Sequence, residues 1–514
     1  MNHIKRFAAV GLLLALSACS SSKTTTASST SAAVAAVTTT ATTATTVATT
    51  TSTAAAATTS TSTSTSAAPT TTTAAPKVAP APATCPEGAP ASLSCVTVAV
   101  PIDPNAAGSG ATNLAVTLRR TKPTVWTSPV VILTGPTPSQ NWASTTFTTD
   151  SFPGHDVVVI DVRGAGRSES SSDCTNLGDY TAELNTANLQ PNGVTAMKAC
   201  FAKFATVPVS LTSDLDHSIV AADIAAVRRS LGIDKWSIYS STGAADIAIH
   251  LVATDADAIA TIVARDPNTV GAAQTPNTIA DAFDRLATDC AAAPTCAKNG
   301  DVKALMVDLV ARPPVTTSTL EKATGWPIVL DSVSAQLGIT GAMRNDGLAG
   351  LVPGILSGPH SAEADANTAS LFDAPGSFPI NAAFIATFCQ DLGYNTPALK
   401  GGAEDHAGAF KGVGWKRLCD LITPVPQMIA PPKVTSKIPV FTVLSSYENR
   451  SSESIAKAVF GGFSNLTVVT EPGVPNVTTA NPACYIKTTN AFIDSPTAKP
   501  DTSCITKPEK VTFS

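Results

Sequence analysis

The chain has 514 residues, 44% hydrophobic and only 14% charged, with a formal net charge of −5. Such a balance provides no basic patch and excludes nucleic acid as a partner. Eleven cysteines stand against six histidines, none in a CxxC spacing, so neither a metal site nor any other cofactor is implied.

Residues 1–18 read as a signal segment, in which Lys5 and Arg6 precede an apolar stretch from Phe7 to Leu16. That stretch is too short to cross a hydrocarbon core, which needs roughly 20 apolar residues. It ends in Leu16-Ser17-Ala18-Cys19, which resembles a bacterial lipobox. The resemblance implies cleavage before Cys19 and a lipid on its thiol, giving an exported protein held on the outer face of the cell membrane. Residues 19–84 are almost only Thr, Ser, Ala and some Pro, with Lys23 and Lys77 the sole charges from Ser20 to Thr84. No aromatic or long aliphatic side chain is present to offset the entropy of ordering, so this segment reads as a disordered stalk. A coil of that length spans roughly 45 Å.

Setting Cys19 aside leaves an even number of cysteines that fall into neighbouring pairs along the chain. These are Cys85 and Cys95, Cys174 and Cys200, Cys290 and Cys296, Cys389 and Cys419, Cys484 and Cys504. Five local disulfides in an oxidising compartment are the expectation, although sequence alone does not fix connectivity.

Within residues 85–270 the apolar patterning predicts strands at 96–102, 113–118, 129–133 and 156–161, the last a continuous run covered on both faces. A Gly-rich loop, Arg163 to Ser168, follows. A helix is predicted over 213–231 from Leu215, Ile219, Ala222, Ala226 and Val227, with Gly232 as its stop. Strand 236–239 then leads through Ser240-Ser241-Thr242-Gly243-Ala244 into an Ala-rich helix, and strand 260–265 comes next. Residues 271–428 are mostly helical in pattern, whereas residues 429–514 return to strands at 439–444 and 466–469 and a helix at 485–493. Strands alternating with helices indicate a mostly parallel α/β sheet, here interrupted by a helical cap.

The segment order resembles the α/β-hydrolase fold, and more narrowly the exported tripeptidyl-aminopeptidase-like branch of serine peptidases. Four pieces carry the likeness: the early cysteine pair before Val100-Pro101-Ile102-Asp103, the run Asp161-Val162-Arg163-Gly164-Ala165-Gly166-Arg167-Ser168, the approach Leu231 to Tyr239, and the late Cys484 and Cys504. The resemblance implies a nucleophile in a G-x-S-x-G turn. That motif falls on Ser240 to Ala244, so Thr242 takes the nucleophile position and Ser241 is the nearest serine, one residue early. The implied acid position falls on Glu448 and the implied histidine position on Asn476; no histidine follows His406. Gly135 and Gly243 take the oxyanion-donor positions, but Pro136 and Pro138 remove donors from the first of those loops.

An amide has no basic nitrogen with which to accept a hydroxyl proton. Loss of the serine or of its histidine costs about a million-fold in a serine hydrolase. The expectation is therefore a catalytically degenerate hydrolase fold that acts by binding a peptide, lipid or cell-wall ligand in the cleft between core and cap. The alternative is an active peptidase or esterase using Thr242 or Ser241, with a base drawn from His155, His217, His250, His360 or His406. Asp161 and Arg163 are expected to be structural, tying the loop that follows their strand.

Overall fold

The computed structural model describes residues 79–87, 89–106, 108–122, 124–133, 151–169, 189–204, 215–269, 276–317, 328–345, 347–358, 420–421, 430–507 and 511–513. All of them lie in one compact unit, Thr73–Ser514. Cys19 with residues 19–78, Gly135 and its loop, Cys174, Cys389, Cys419, His360 and His406 lie outside the described residues.

The sheet begins with three strands joined antiparallel, β1 (Ala81–Ala83), β2 (Leu93–Pro101) and β3 (Ala111–Arg119). β2 buries Val98 and Val100 on one face, while Cys95 is buried on the other. The next strands, β4 (Val130–Leu133) and β5 (Val157–Ile160), are unbroken apolar runs buried at every position. After β5 come α1 (Pro191–Phe204), α2 (His217–Leu231), β6 (Trp236–Ser241), α3 (Ala244–Asp255) and β7 (Ile259–Arg265). The Asp216 carboxylate caps α2 by accepting from the Ser218 N–H at 2.7 Å. Gly232 ends it at φ +68°, a left-handed conformation that suits glycine.

The chain leaves the sheet after β7 to build the cap. Its described elements include α4 (Pro276–Ala292), α5 (Val302–Ala311), a ribbon of β8 (Val315–Thr317) with β9 (Ile328–Leu330), α6 (Ser332–Met343) and α7 (Val352–Ser357). It returns through β10 (Val440–Ser445), α8 (Glu453–Phe460), β11 (Leu466–Glu471), α9 (Val477–Ala480) and α10 (Pro482–Asp494). Among the described residues the sheet order is β1-β2-β3-β5-β4-β6-β7-β10-β11. From β5 onward every pairing is parallel. The crossing of β4 and β5, the run of parallel strands on the far side of β4 and the excursion between β7 and β10 are those of the α/β-hydrolase fold, with a mostly parallel sheet and an inserted helical cap.

Apolar clusters fill both faces of the sheet. α2 and α3 cover one face with Val220, Ile224, Val227, Ile247 and Leu251. On the other, Tyr239, Phe441, Tyr485 and Phe492 pack together, and Phe152 meets Tyr239 edge-on at 5.5 Å. A third cluster is the cap's own: Phe283, Met306, Ile339 and Met343 enclose Tyr447 from the turn after β10 and Phe513 from the C-terminal tail.

Several expectations need correction. Ala81–Ala83 is a strand, so the segment read as stalk includes a paired strand; backbone pairing with β2 needs no large side chain. Helix α1 was not foreseen, and the cap carries a two-stranded ribbon beside its helices. Disulfides join Cys85 to Cys95, Cys290 to Cys296 and Cys484 to Cys504, while Cys200 is also disulfide-bonded.

Asp161 and Arg163 hold the Gly-rich turn as expected. Arg163 forks onto Asp223 of α2 with two bonds of 2.6 Å and donates to the carbonyls of Ile102 and Pro101. Asp161 accepts from the Arg167 N–H at 3.0 Å, and a Cβ on Gly166 would come within 2.5 Å of the Asp161 carboxyl carbon. That glycine, at φ +59°, is therefore required twice over.

Candidate functional site

The candidate site lies above the carboxyl ends of β6, β7, β10 and β11, where pockets of open parallel sheets form. Strand β6 is buried throughout and carries Ser240 and Ser241 as its last residues. Thr242 follows at φ +49°, before Gly243 opens α3. A β-branched residue in the left-handed region is strained. The surrounding backbone holds it there: the Thr242 N–H donates to the Arg265 carbonyl at 3.0 Å, and its carbonyl accepts from Ala245 at 3.1 Å and Asn268 at 3.2 Å. This is the sharp strand-to-helix turn on which hydrolases of this fold mount a nucleophile.

The Thr242 side chain is partly exposed, and its hydroxyl has no hydrogen-bond partner among the described residues. Ser241 remains within β6, level with Arg265 of β7, and is buried. The Gly243 N–H, at the amino end of α3, makes no hydrogen bond among the described residues. Beside it stands Asn268, 6% exposed, whose Oδ1 is buried without a partner and would lie 3.3 Å from a Cβ on Gly243.

Arg265, closing β7, is the residue around which the other positions gather. Its Nη1 donates to Asn476 Oδ1 at 3.2 Å. Burial alone would lower the guanidinium pKa, but the oxygens of Tyr239, Asp266, Tyr485 and Glu448 reverse that and hold it charged. Asn476 is the N-cap of α9, its Oδ1 also accepting from the Thr478 N–H at 3.0 Å and hydroxyl at 2.7 Å. It behaves as a helix cap that an arginine has joined.

Glu448 lies in the turn after β10, 5% exposed. Both of its oxygens are committed to Arg450: Nε at 2.8 Å and the backbone N–H at 3.0 Å on Oε1, Nη2 at 2.9 Å on Oε2. Burial would raise its pKa, yet the charge and hydrogen bonds of Arg450, with Arg344 and Arg265 behind them, bring it down to about 2. The neighbouring Asp266, at φ +45°, accepts from the Ser445 N–H at 2.6 Å and hydroxyl at 2.9 Å. Burial and then the charge of Glu448 push its pKa up to about 6.

The cap reaches this loop directly. Arg285 of α4 donates to the Ser446 carbonyl at 2.6 Å, Tyr447 donates to Asp289 at 2.6 Å, and Asn449 donates to the Thr340 carbonyl of α6 at 2.8 Å. Arg344, just past α6, is thereby brought beside Arg450 and Glu448; burial, then the Arg450 charge, lower its pKa to about 10.

Arg265 thus connects these positions: its carbonyl accepts from the Thr242 N–H, its guanidinium donates to Asn476, and the charge of Glu448 acts on it. Three histidines are described, all elsewhere. His155 Nδ1 lies 3.1 Å from the Ser128 carbonyl, and His217 Nδ1 lies 3.9 Å from Asp246, with His250 on the same helix as that aspartate. Among the described residues none of them hydrogen-bonds Thr242, Ser241 or Glu448. Sequence reasoning missed Arg265, Arg344 and Arg450. Only Arg265 carried a local signal, as a charge ending the apolar run Ile259 to Ala264.

The described residues hold no group of three His, Cys, Asp or Glu side chains able to bind a metal, and no described helix is long and apolar enough to cross a membrane. No protein-family model matches the chain, and no curated protein matches it. Solved structures similar to it include an esterase from Rhodococcus sp. ECU1013, 13% identical over 79% of this chain and 99% of that one, at a TM-score of 0.36. A serine hydrolase from the polyaromatic-hydrocarbon-degrading bacterium Cycloclasticus zankles gives 13% identity over 79% and 100%, at 0.35. The epoxide hydrolase CorEH gives 12% over 79% and 100%, at 0.32. Likenesses this distant carry no chemistry across, and the fold assignment stands on the strand order.

Proposed function

We propose that this chain is an exported, lipid-anchored envelope protein whose hydrolase-fold head binds a ligand without turning it over. The observation that carries the reading is the environment of Asn476. The position where an imidazole would stand holds an amide, and its oxygen is engaged by Thr478 and by the Arg265 cation. A guanidinium takes no proton at neutral pH, so neither Asn476 nor Arg265 offers a general base to a hydroxyl. Glu448, the acid position, is bound to Arg450 and so has no lone pair committed to orienting a base. The tripeptidyl-aminopeptidase-like likeness of the Asp161-to-Ser168 turn suggests descent from a peptidase, with the cleft kept for recognition. Export and anchoring are supported by the basic-apolar leader ending at Cys19 and by the disulfide-rich head.

One observation favours the active-hydrolase alternative. Thr242 is held at φ +49°, the strained setting of a working nucleophile. The two readings part on labelling with a fluorophosphonate probe followed by peptide mapping. The binding reading expects no adduct at micromolar probe; a stoichiometric adduct on Thr242 or Ser241 establishes the hydrolase.

A further inference from the structure

Residues 511–513 join the cap to the core beside the site, and the pattern Val511-Thr512-Phe513 explains how. Along an extended segment alternate side chains share a face. Val511 and Phe513 accordingly turn into the cap's apolar cluster, while Thr512 stays exposed. Phe513 is 7% exposed and shares that cluster with Phe283, Met306 and Ile339 of the cap and with Tyr447 of the turn after β10.

The segment is held from both sides. On the core side the Val511 N–H donates to the Gly473 carbonyl at 3.3 Å, in the loop between β11 and Asn476. On the cap side the Thr295 hydroxyl donates to the Phe513 carbonyl at 3.3 Å, and the Cys290–Cys296 bridge closes the loop that carries Thr295. Gly350, shortly before α7, has no room for a Cβ, which would collide with the Thr512 carbonyl and lie 2.9 Å from Val511 Cγ1.

The loop gripped on the core side also fixes the turn that bears Glu448. The Val474 N–H donates to the Ser446 hydroxyl at 2.9 Å, and the Val474 carbonyl accepts from the Tyr447 N–H at 3.1 Å. Phe513 belongs to neither of the clusters that pack the two faces of the sheet. Unseating it therefore removes apolar packing from the cap and from Tyr447 and leaves the sheet intact. A local opening of this kind costs less than unfolding the domain.

We infer that residues 511–513 are a releasable strap. Seated, they clamp the cap to the loops bearing Glu448 and Asn476; released, they loosen the cap beside the site. The inference goes beyond the binding reading and holds whether the site binds its ligand or hydrolyses it, because it concerns the cap alone.

The test is hydrogen–deuterium exchange on the full chain, read by mass spectrometry. F513A should speed exchange in α4, α6 and residues 446–449 at least about tenfold, with α2 and α3 unchanged. F513L keeps an apolar side chain in the pocket and should stay within about threefold of wild type. G350A strikes the same contact from the cap side and should reproduce the F513A pattern; it decides alone if F513A does not fold. Cap exchange at wild-type rates, or exchange that rises equally in α2 and α3, overturns the inference.

Discussion

Two arginine–carboxylate assemblies sit on the same sheet and differ in how tightly they are closed. At the turn after β5, Arg163 meets Asp223 one to one, and its remaining donors reach the Ile102 and Pro101 carbonyls. Every group is satisfied, the guanidinium is fully buried, and the pair ties α2 to the antiparallel side of the sheet. Above β7 and β10 the charges are spread over several elements: Arg450 forks onto Glu448, Arg344 and Arg265 add their charges behind it, and Arg344 stands partly open. Balance marks the first assembly as architecture. The second assembly instead joins the cap to the core and stays partly open to water.

The comparison breaks first at Asp223. D223A leaves Arg163 charged in the core with nothing opposite, and the expected loss of unfolding free energy is about 3–5 kcal/mol by denaturant titration. A loss under about 1 kcal/mol would mean that the pair does not hold the fold. Glu448→Gln should cost less, about 1–3 kcal/mol, because Arg450 is 24% exposed and water can reach it. Its pH dependence sharpens the point. The folded pKa of Glu448 is depressed, so its contribution is complete above the ordinary 4.5 and is lost as pH falls through about 2. The stability gap between wild type and E448Q should therefore be level above pH 5 and close towards pH 2; a gap that widens on acidification refutes the depressed pKa. The smallest effect is expected at the elbow. Thr242→Gly removes the strain of φ +49° but adds unfolded-state entropy, for a net gain of up to about 1 kcal/mol in thermal melts. Destabilisation would mean that the threonine side chain has a packing role.

The sheet was legible because its central strands are unbroken apolar runs: VVIL, VVVI and VFTVLS each bury every residue. Helix α2 announced itself through its spacing and Gly232. Ala81–Ala83 was not legible, since three small residues form a strand only because β2 lies alongside to accept them. The positions of Thr242, Glu448 and Asn476 followed from counting along the strands that end beside them. What fills the space between them did not. Arg265, Arg344 and Arg450 belong to separate elements, and only folding brings β7, the end of α6 and the turn after β10 to one place. Their meeting depends on the docking of the cap onto residues 446–449, a tertiary event with no signature in local sequence.

The short first strand has a consequence for how copies of this molecule coexist. A sheet margin with free amides invites a second molecule to extend it. Here the outermost described strand is three residues long, Pro82 at its centre has no N–H to offer, and the Cys85–Cys95 bridge pins it beside β2. Crowded side by side, these heads meet a blunted strand along the stretch that β1 covers, a poor template there for intermolecular growth.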